Sequence, residues 1–240
     1  MRKYYTRACN FYYGTNARNL IKKKLALSLC GNKNIAFDNI EILSRDRKAK
    51  LHHIKNIKTL PYKIKRIVLT DIIKITSKKK NLNKYINIVD PLIMGVLNLT
   101  PDSFSDGGLY NESKKAFSHI RNMISSGADI IDIGGESTRP GSKNMSDKKE
   151  WKRLKIVISN FKKKFPKTFL SIDTRKSDIM LRAIKYKSDL INDVSGFNYD
   201  SKAINRIKKY NVWKVLHHMQ GSPNTMQIKP NYKNVLLDIY

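Results

Sequence analysis

The sequence predicts an α/β fold of the (βα) barrel type. From residue 92 onward, short apolar runs of strand length alternate with amphipathic helical stretches, which is the pattern of parallel strands joined by helices. Polar residues follow each apolar run, and the single glycine-rich G-x-G-x-x-G loop of a doubly wound sheet is absent. Polar groups at the carboxyl ends of several strands are typical of barrels, in which those ends meet at one mouth.

Five apolar runs are predicted as strands, and each leads into polar or turn-forming residues. The first is followed by a loop rich in Pro, Asp, Ser and Gly at residues 100–108. Because parallel crossovers are right-handed, we expect the carboxyl ends of all the strands on one side of the sheet. These ends are expected near Asn98, Gly134, Asp173, Asn192 and His218.

Apolar residues at helical spacing fill the intervals between the strands and predict four helices packed on the sheet. Gly127 and Pro166 end the first two. The apolar positions are Ala116, Ile120, Met123 and Ile124; Trp151, Leu154, Ile158, Phe161 and Phe165; Ile179, Ala183 and Ile184; and Ala203, Ile204, Ile207 and Tyr210.

The first part of the chain has a different pattern. Residues 34–43 are predicted as a strand, residues 61–75 as an amphipathic helix that begins at Pro61, and residues 77–84 as a polar linker. His52 and His53 have no metal-ligand partners at usable spacing. We therefore predict two domains, a small α+β accessory extension with its linker at residues 1–88 and the barrel at residues 89–240.

The composition argues against several protein classes. No apolar run approaches the roughly 18 residues that a membrane helix needs. The N-terminus is charged but lacks the apolar segment of a signal peptide. Cys9 and Cys30 fit neither a disulfide framework nor a metal site, so a cytoplasmic protein without a membrane partner is expected.

The net charge of +29 is compatible with nucleic-acid binding or with a lysine-rich enzyme that takes an anionic substrate. The second interpretation is preferred because the lysines are spread along the whole chain and no nucleic-acid-binding motif is present. A field this positive would speed the arrival of a small anion. We therefore expect small-molecule partners and no nucleic acid.

The polar residues after the strands suggest a chemistry. Asp173 ends an apolar strand, so its carboxylate needs hydrogen-bond donors, from Arg175 or from a ligand with paired N–H groups. Asn192 suits the edge of a heterocycle, and Arg139 suits phosphate or carboxylate. Asn98 could offer an oxygen to Mg²⁺. Residue chemistry alone predicts a barrel enzyme for an anionic substrate with a hydrogen-bonding ring, and it does not identify the ring.

Four ordered motifs resemble those of dihydropteroate synthase: MGVLNLTPDSFSDGG at residues 94–108, ADIIDIGGESTRPGS at 128–142, SIDTRK at 171–176 and INDVSG at 191–196. The resemblance implies a TIM (βα)8-type barrel, of which about five βα units are present. It also implies a transferase of folate biosynthesis. This enzyme condenses 6-hydroxymethyl-7,8-dihydropterin pyrophosphate with p-aminobenzoate to give 7,8-dihydropteroate and pyrophosphate.

The same resemblance implies roles for individual residues. Asn98 matches the metal-linked asparagine, so Mg²⁺ is the expected cofactor, and Asp173 and Asn192 match the pterin-binding residues. Arg139 and Asp173 are the expected catalytic residues. Contacts to p-aminobenzoate and pyrophosphate are expected from two loops, at Phe104, Thr138, Arg139 and Pro140.

The chain departs from the family pattern at two points. His217 stands where the family usually has methionine, and the later Asp-Pro-Gly, Ser-Arg-Lys and Arg-x-His strands do not occur. We therefore expect the N-terminal part of a longer enzyme, with no turnover by residues 1–240 alone. The alternatives are an inactive pterin-binding fragment, another pterin-binding barrel such as a methyltetrahydrofolate methyltransferase, and a basic RNA-associated protein. A homodimer is left open.

Overall fold

The computed structural model describes residues 3–82, 86, 91–100, 109–136, 145–221 and 225–239, with only the backbone at residues 109–112. It divides into two compact units, Met1–Asn81 with Tyr232–Tyr240, and Leu82–Asn231. The predicted domain boundary between residues 88 and 89 lies outside the described residues and stays a prediction. No helix in the described ranges is long and apolar enough to cross a membrane.

The first unit is a mixed α+β structure around one long strand. Its strands are β1 (Tyr5–Tyr13), β2 (Leu27–Leu29), β3 (Asn32–Ser44) and β4 (Arg47–His53), and its helices are α1 (Gly14–Lys22), a 3-10 helix (Ile54–Thr59) and α2 (Tyr62–Thr76). β3 pairs antiparallel with β1 along one edge and with β2 and β4 along the other. The strand predicted at residues 34–43 and the helix predicted at 61–75 are confirmed as parts of β3 and α2.

A core between the sheet and α2 holds the first unit together. Phe37 and Ile40 of β3 and Val68 of α2 are fully buried in one cluster. Burying an aliphatic or aromatic side chain of this size stabilises the fold by about 1.5–3 kcal/mol. The chain returns to this unit at α7 (Val235–Ile239), where Leu237 packs against Tyr5 and Leu43.

The second unit is a parallel sheet with helices between its strands. The strands are β5 (Met94–Asn98), β6 (Ile130–Gly134), β7 (Phe169–Asp173), β8 (Leu190–Asp193) and β9 (Trp213–Leu216). The helices are α3 (Leu109–Ser125), α4 (Asp147–Lys164), α5 (Ser177–Lys185) and α6 (Ala203–Ile207). The strands are parallel, as the sequence predicts, and they pair in chain order. The strands end at Asn98, Gly134, Asp173, Asp193 and Leu216, each within two residues of the predicted end.

Alternate residues of each strand face opposite sides of this sheet. One side carries Ile131, Leu170 and Ile172, which pack with Leu154 and Phe161 of α4 in the main core. The other side carries a small apolar cluster at the amino ends of the strands, formed by Ile86, Ile130, Phe169 and Leu190. Toward the carboxyl ends this second side becomes polar, and the candidate site lies there.

The turns from α3 to β6 and from α5 to β8 are built alike. Each helix ends in a Schellman motif at a residue with positive φ, Gly127 (99°) and Lys187 (65°). Two residues later, a carboxylate accepts a backbone N–H of the preceding strand. Asp129 accepts from Ile93 at 2.9 Å, and Asp189 accepts from Leu170 at 2.8 Å. These two aspartates fasten the amino ends of the strands, opposite the candidate site.

Candidate functional site

Residues at the carboxyl ends of four neighbouring strands form one row across the sheet. Asn98 of β5 pairs with Gly134 of β6, Gly134 pairs with Asp173 of β7, and Asp173 pairs with Asn192 of β8. Because the strands are parallel, all these carboxyl ends lie at one edge. The structure therefore brings together three of the residues that the sequence singled out, Asn98, Asp173 and Asn192.

Gly134 leaves a gap in the middle of this row. A Cβ atom at this position would lie 3.3 Å from Oδ1 of Asn98 and 3.5 Å from Oδ2 of Asp173. The two oxygens therefore converge on the space that a side chain would fill. A Cβ atom here would be in tight contact with the Asn98 oxygen and in ordinary van der Waals contact with the Asp173 oxygen.

A second polar layer lies one step below the row, toward the amino ends of the strands. Asp132 of β6 is only 4% exposed, and its carboxylate accepts hydrogen bonds from the Ser171 hydroxyl and, at 3.0 Å, from Nδ2 of Asn192. Burial raises the pKa of Asp132, and the two hydrogen bonds oppose the rise. Asp132 is not among the predicted site residues, although a carboxylate inside the apolar run Ile130–Gly134 is a usable signal.

The Asp173 carboxyl group is held in an unfavourable environment for its charge. Burial raises its pKa to about 7, and the negative charges of Asp132, Glu150 and Asp193 add to the rise, while Arg175 opposes it. At neutral pH a substantial fraction of this group is protonated, and hydrogen-bond donors from a ligand would favour the ionised form.

A buried ionic network flanks Asp173. Nζ of Lys176 lies 2.7 Å from Oε2 of Glu150 and 3.2 Å from Oε2 of Glu136, and Arg175 also contacts Glu136 at 3.1 Å. The Thr174 hydroxyl donates to Oε1 of Glu150 at 2.6 Å. Burial alone would lower the pKa of Lys176, but the hydrogen bond and charge of Glu150 and those of Glu136 outweigh it and raise this pKa.

Glu136 also joins the two ends of the loop that follows β6. Its Oε1 accepts the backbone N–H of Met145 at 2.8 Å. Although burial opposes ionisation, this bond together with Lys176 and Arg175 lowers the pKa of Glu136. The predicted site residues Thr138, Arg139 and Pro140 lie in the sequence between Glu136 and Met145, outside the described residues. Phe104, in an earlier loop, also lies outside the described residues.

The segment after β8 is ordered by Asp193, which is completely buried. Its carboxylate accepts hydrogen bonds from the backbone N–H of Ser195 at 2.8 Å, the Ser195 hydroxyl at 2.7 Å and the backbone N–H of Phe197 at 3.1 Å. Gly196 has a φ of +59°, and a Cβ there would lie 2.3 Å from the carbonyl oxygen of His217. Only glycine fits this position. The His217 and His218 side chains are exposed.

No cluster of three or more His, Cys, Asp or Glu side chains that could hold a metal ion occurs within the described ranges. Oxygen atoms of Asn98 and Asp173 lie near each other across Gly134. Amide and carboxylate oxygens are the ligand types that Mg²⁺ takes when a phosphate group supplies others.

The family model for pterin binding enzymes matches residues 94–239, more than half of the chain. The chain belongs to the pterin binding enzyme family. The matched range includes all five parallel strands and the row from Asn98 to Asn192. Membership confirms the resemblance that the four sequence motifs indicate.

Named relatives of this pterin binding enzyme are dihydropteroate synthases. The Haemophilus influenzae protein is 40% identical over 157 residues, which are 65% of this chain and 56% of the relative. The Yersinia pestis dihydropteroate synthase, solved as a sulfonamide drug complex, has a TM-score of 0.57 and 38% identity over 64% of this chain and 55% of that one. The Burkholderia cenocepacia enzyme, complexed with 7,8-dihydropteroate, has a TM-score of 0.54 and 36% identity. The match covers 64% of this chain and 50% of that one.

These likenesses confirm the predicted fold class, an α/β barrel of this family. The five parallel strands are the part of such a barrel that the described residues contain. The chain spans about half the length of the curated relatives that it matches.

Proposed function

We propose that the chain is the pterin-binding part of a dihydropteroate synthase. In this proposal it takes 6-hydroxymethyl-7,8-dihydropterin pyrophosphate and p-aminobenzoate and forms 7,8-dihydropteroate and pyrophosphate. The observation that carries it is the row of Asn98, Gly134, Asp173 and Asn192 at one edge of the sheet. The named relatives and the dihydropteroate in the B. cenocepacia structure support the choice of substrates.

The row and the layer below it suit a ring that offers N–H groups. Asp132, Asp173 and Asn192 place carboxylate and amide oxygens close together, in a chain whose net charge is +29. A buried carboxylate without donors costs free energy, and a pterin edge with an amino group and ring N–H supplies donors. The proposed role of Asp173 is therefore to accept hydrogen bonds from the pterin while its own carboxyl group is ionised.

The proposed reaction is a displacement at the methylene carbon of the pterin substrate. The bond from this carbon to the pyrophosphate oxygen breaks with its electron pair on oxygen, the p-aminobenzoate nitrogen forms the new bond, and the amine releases a proton to solvent. Arg139 would neutralise the charge that grows on the leaving group. Thr138 would bind the same pyrophosphate, and Phe104 and Pro140 would contact p-aminobenzoate.

Mg²⁺ fits this proposal at the amide oxygen of Asn98, which lies across Gly134 from the proposed pterin-binding residue Asp173. When bound, the ion supplies charge neutralisation for pyrophosphate. Asn98 would hold it beside the pterin site. A cytoplasmic location and a homodimer are further parts of the proposal, the latter to be tested by the mass of the purified protein in solution.

The pterin assignment is tested by titrating 6-hydroxymethylpterin into the chain and following the fluorescence of the pterin. Asp173→Asn and Asn192→Ala should each weaken binding by about tenfold, since each loses one or two hydrogen bonds to the ring. Asp189→Asn is the matched control, because its carboxylate lies at the amino ends of the strands. Equal affinities in all three variants would contradict the assignment.

The transferase assignment needs a separate measurement, the formation of dihydropteroate from both substrates. Turnover with both substrates is the expected result. In the active enzyme, Arg139→Ala should lower the rate by about one order of magnitude or more, because a charge-assisted contact is lost. Asn98→Ala should raise the Mg²⁺ concentration required. Binding of pterin without turnover would favour a non-catalytic pterin-binding protein.

A further inference from the structure

The side-chain amide of Asn192 is hydrogen-bonded to the carboxylate of Asp132. Asp132 lies one layer closer to the amino ends of the strands than the row that contains Asn192. Nδ2 of Asn192 donates to Oδ2 of Asp132 at 3.0 Å, and the Ser171 hydroxyl donates to Oδ1 of the same carboxylate. Ser171 and Asp132 are buried, and Asn192 is half-buried. Each carboxylate oxygen therefore has its own donor, one from the adjacent strand β7 and one from β8, the next strand across the sheet.

The contact with Asp132 determines the orientation of the NH₂ and carbonyl groups of the Asn192 side chain. An ionised carboxylate only accepts hydrogen bonds, so it takes the NH₂ end of Asn192 and rejects the carbonyl end. Oxygen and nitrogen diverge from the same carbon of the amide, so the carbonyl oxygen is turned away from Asp132. Asp132 lies toward the amino ends of the strands relative to Asn192, which leaves the carbonyl oxygen on the side of the mouth.

We propose that Asp132 is a positioning residue that holds the Asn192 amide in one orientation, so that Asn192 offers an acceptor oxygen to an N–H group of the bound ring. Without Asp132, rotation of the amide by half a turn would offer a donor instead. The identity of the ring as a pterin rests on the proposed function, but the orientation of the amide does not. Ser171 supports the same arrangement by satisfying the second carboxylate oxygen.

The decisive variant is Asp132→Asn, which keeps the size of the side chain but can donate as well as accept. In the first experiment, selective ¹⁵N labelling of asparagine followed by NMR reports the side-chain amide of Asn192 in the chain without ligand. The wild type should show a single Asn192 amide, with one proton protected from solvent exchange. Asp132→Asn should remove this protection or give two sets of signals.

A double-mutant cycle then separates positioning from general structural support. 6-Hydroxymethylpterin is titrated into the wild type, Asp132→Asn, Asn192→Ala and the double variant. Asp132→Asn should weaken binding by about five- to tenfold in the wild-type background. In the Asn192→Ala background, the same substitution should weaken binding by less than about twofold. A loss of the same size in both backgrounds would overturn the proposal. Asp129→Asn, at the opposite ends of the strands, is the control for loss of a carboxylate.

Two outcomes distinguish this proposal from the proposed function. If the wild type binds no pterin but the Asn192 amide is protected and depends on Asp132, the proposed function fails and the positioning role stands. If pterin binds and the amide signal is the same in Asp132→Asn, the positioning role is wrong and the proposed function stands. Should Asp132→Asn fail to fold, Ser171→Ala takes its place, with the same pattern expected at smaller size because one of the two donors to Asp132 is removed.

Discussion

The Asn98 amide oxygen and the Asp173 carboxylate converge over the backbone of Gly134. They lie 3.3 Å and 3.5 Å from the position that a Cβ atom of residue 134 would occupy. The residues are brought together by strand register alone, because β5, β6 and β7 end in the same row. The glycine is needed here for space, since its φ is not in the left-handed region.

Gly134→Ala should therefore fold but bind ligand less well. The added methyl group is closer to Asn98 Oδ1 than most real contacts allow, so this oxygen must move by a few tenths of an ångström. A shift of this kind should weaken 6-hydroxymethylpterin binding by about five- to tenfold. A fluorescence titration measures the affinity for 6-hydroxymethylpterin, and thermal unfolding checks that the variant folds. An unchanged affinity would show that the oxygens over Gly134 do not set the shape of the pterin site.

The sequence was sufficient to find the ends of the strands but not the contacts between them. Asn98, Asp173 and Asn192 could be found because each ends an apolar run, and parallel strands bring such ends together. Asp132 was missed because it lies inside a strand, where its neighbours are apolar and its partners come from β7 and β8.

The ionic network was missed for a related reason. Glu150 lies in the first turn of α4, and an acidic residue there is ordinary because it complements the helix dipole. Nothing in the sequence shows that it is completely buried against Lys176, a residue 26 positions away. Contacts of this kind depend on how α4 packs on the sheet, and single-sequence patterns carry no information about that packing.

Asp173→Asn should stabilise the fold at high pH. The pKa of Asp173 is raised from 3.8 to about 7 in the folded state, chiefly by burial. Between these values the folded protein holds a proton that the unfolded chain releases, so the free energy of unfolding falls as pH rises through this window. One pKa unit corresponds to 1.36 kcal/mol, so the variant should gain on the order of 2–4 kcal/mol near pH 8 and less near pH 5.

Urea unfolding at the two pH values measures this effect. Asp189→Asn is the control, because the Asp189 carboxylate accepts hydrogen bonds from Lys162 and from the backbone of Leu170, and its loss should destabilise the fold at both pH values. If Asp173→Asn were equally stable relative to the wild type near pH 5 and near pH 8, the raised pKa would be wrong.

Lys176→Met should strongly destabilise the second unit. Lys176 is 4% exposed and contacts Glu150, which is completely buried, and Glu136, which is 6% exposed. Removing one partner of a buried ion pair leaves an uncompensated charge, which costs about 3–5 kcal/mol. The free energy of unfolding from urea titration is the measurement.

Combining Lys176→Met with Glu150→Gln tests the cause of that loss. The double variant removes both charges of the closest pair, and Glu136 keeps its contact with Arg175 at 3.1 Å. Most of the lost stability should therefore return. A double variant that is less stable than Lys176→Met would mean that lost packing, and not the unpaired charge of Glu150, causes the destabilisation.

Lys187→Gly should stabilise the second unit. The equivalent turn after α3, which has Gly127 at the same position, serves as the comparison. Lys187 and Gly127 occupy the same position of two Schellman motifs. In each motif the N–H of this residue bonds three residues back, to Ile184 and Ile124, and the next N–H bonds five residues back, to Ala183 and Met123. Both residues have positive φ, which costs lysine about 1 kcal/mol and glycine almost nothing.

The expected gain for Lys187→Gly is about 0.5–1 kcal/mol, because the greater freedom of glycine in the unfolded chain offsets part of the relieved strain. Gly127→Lys makes the reverse change in the matching turn and should lose about 1–2 kcal/mol. Both values come from urea unfolding at one pH, and neither variant should alter pterin affinity, since Gly127 and Lys187 lie at the amino ends of the strands. Destabilisation by Lys187→Gly would mean that the lysine side chain makes a stabilising contact larger than the backbone strain.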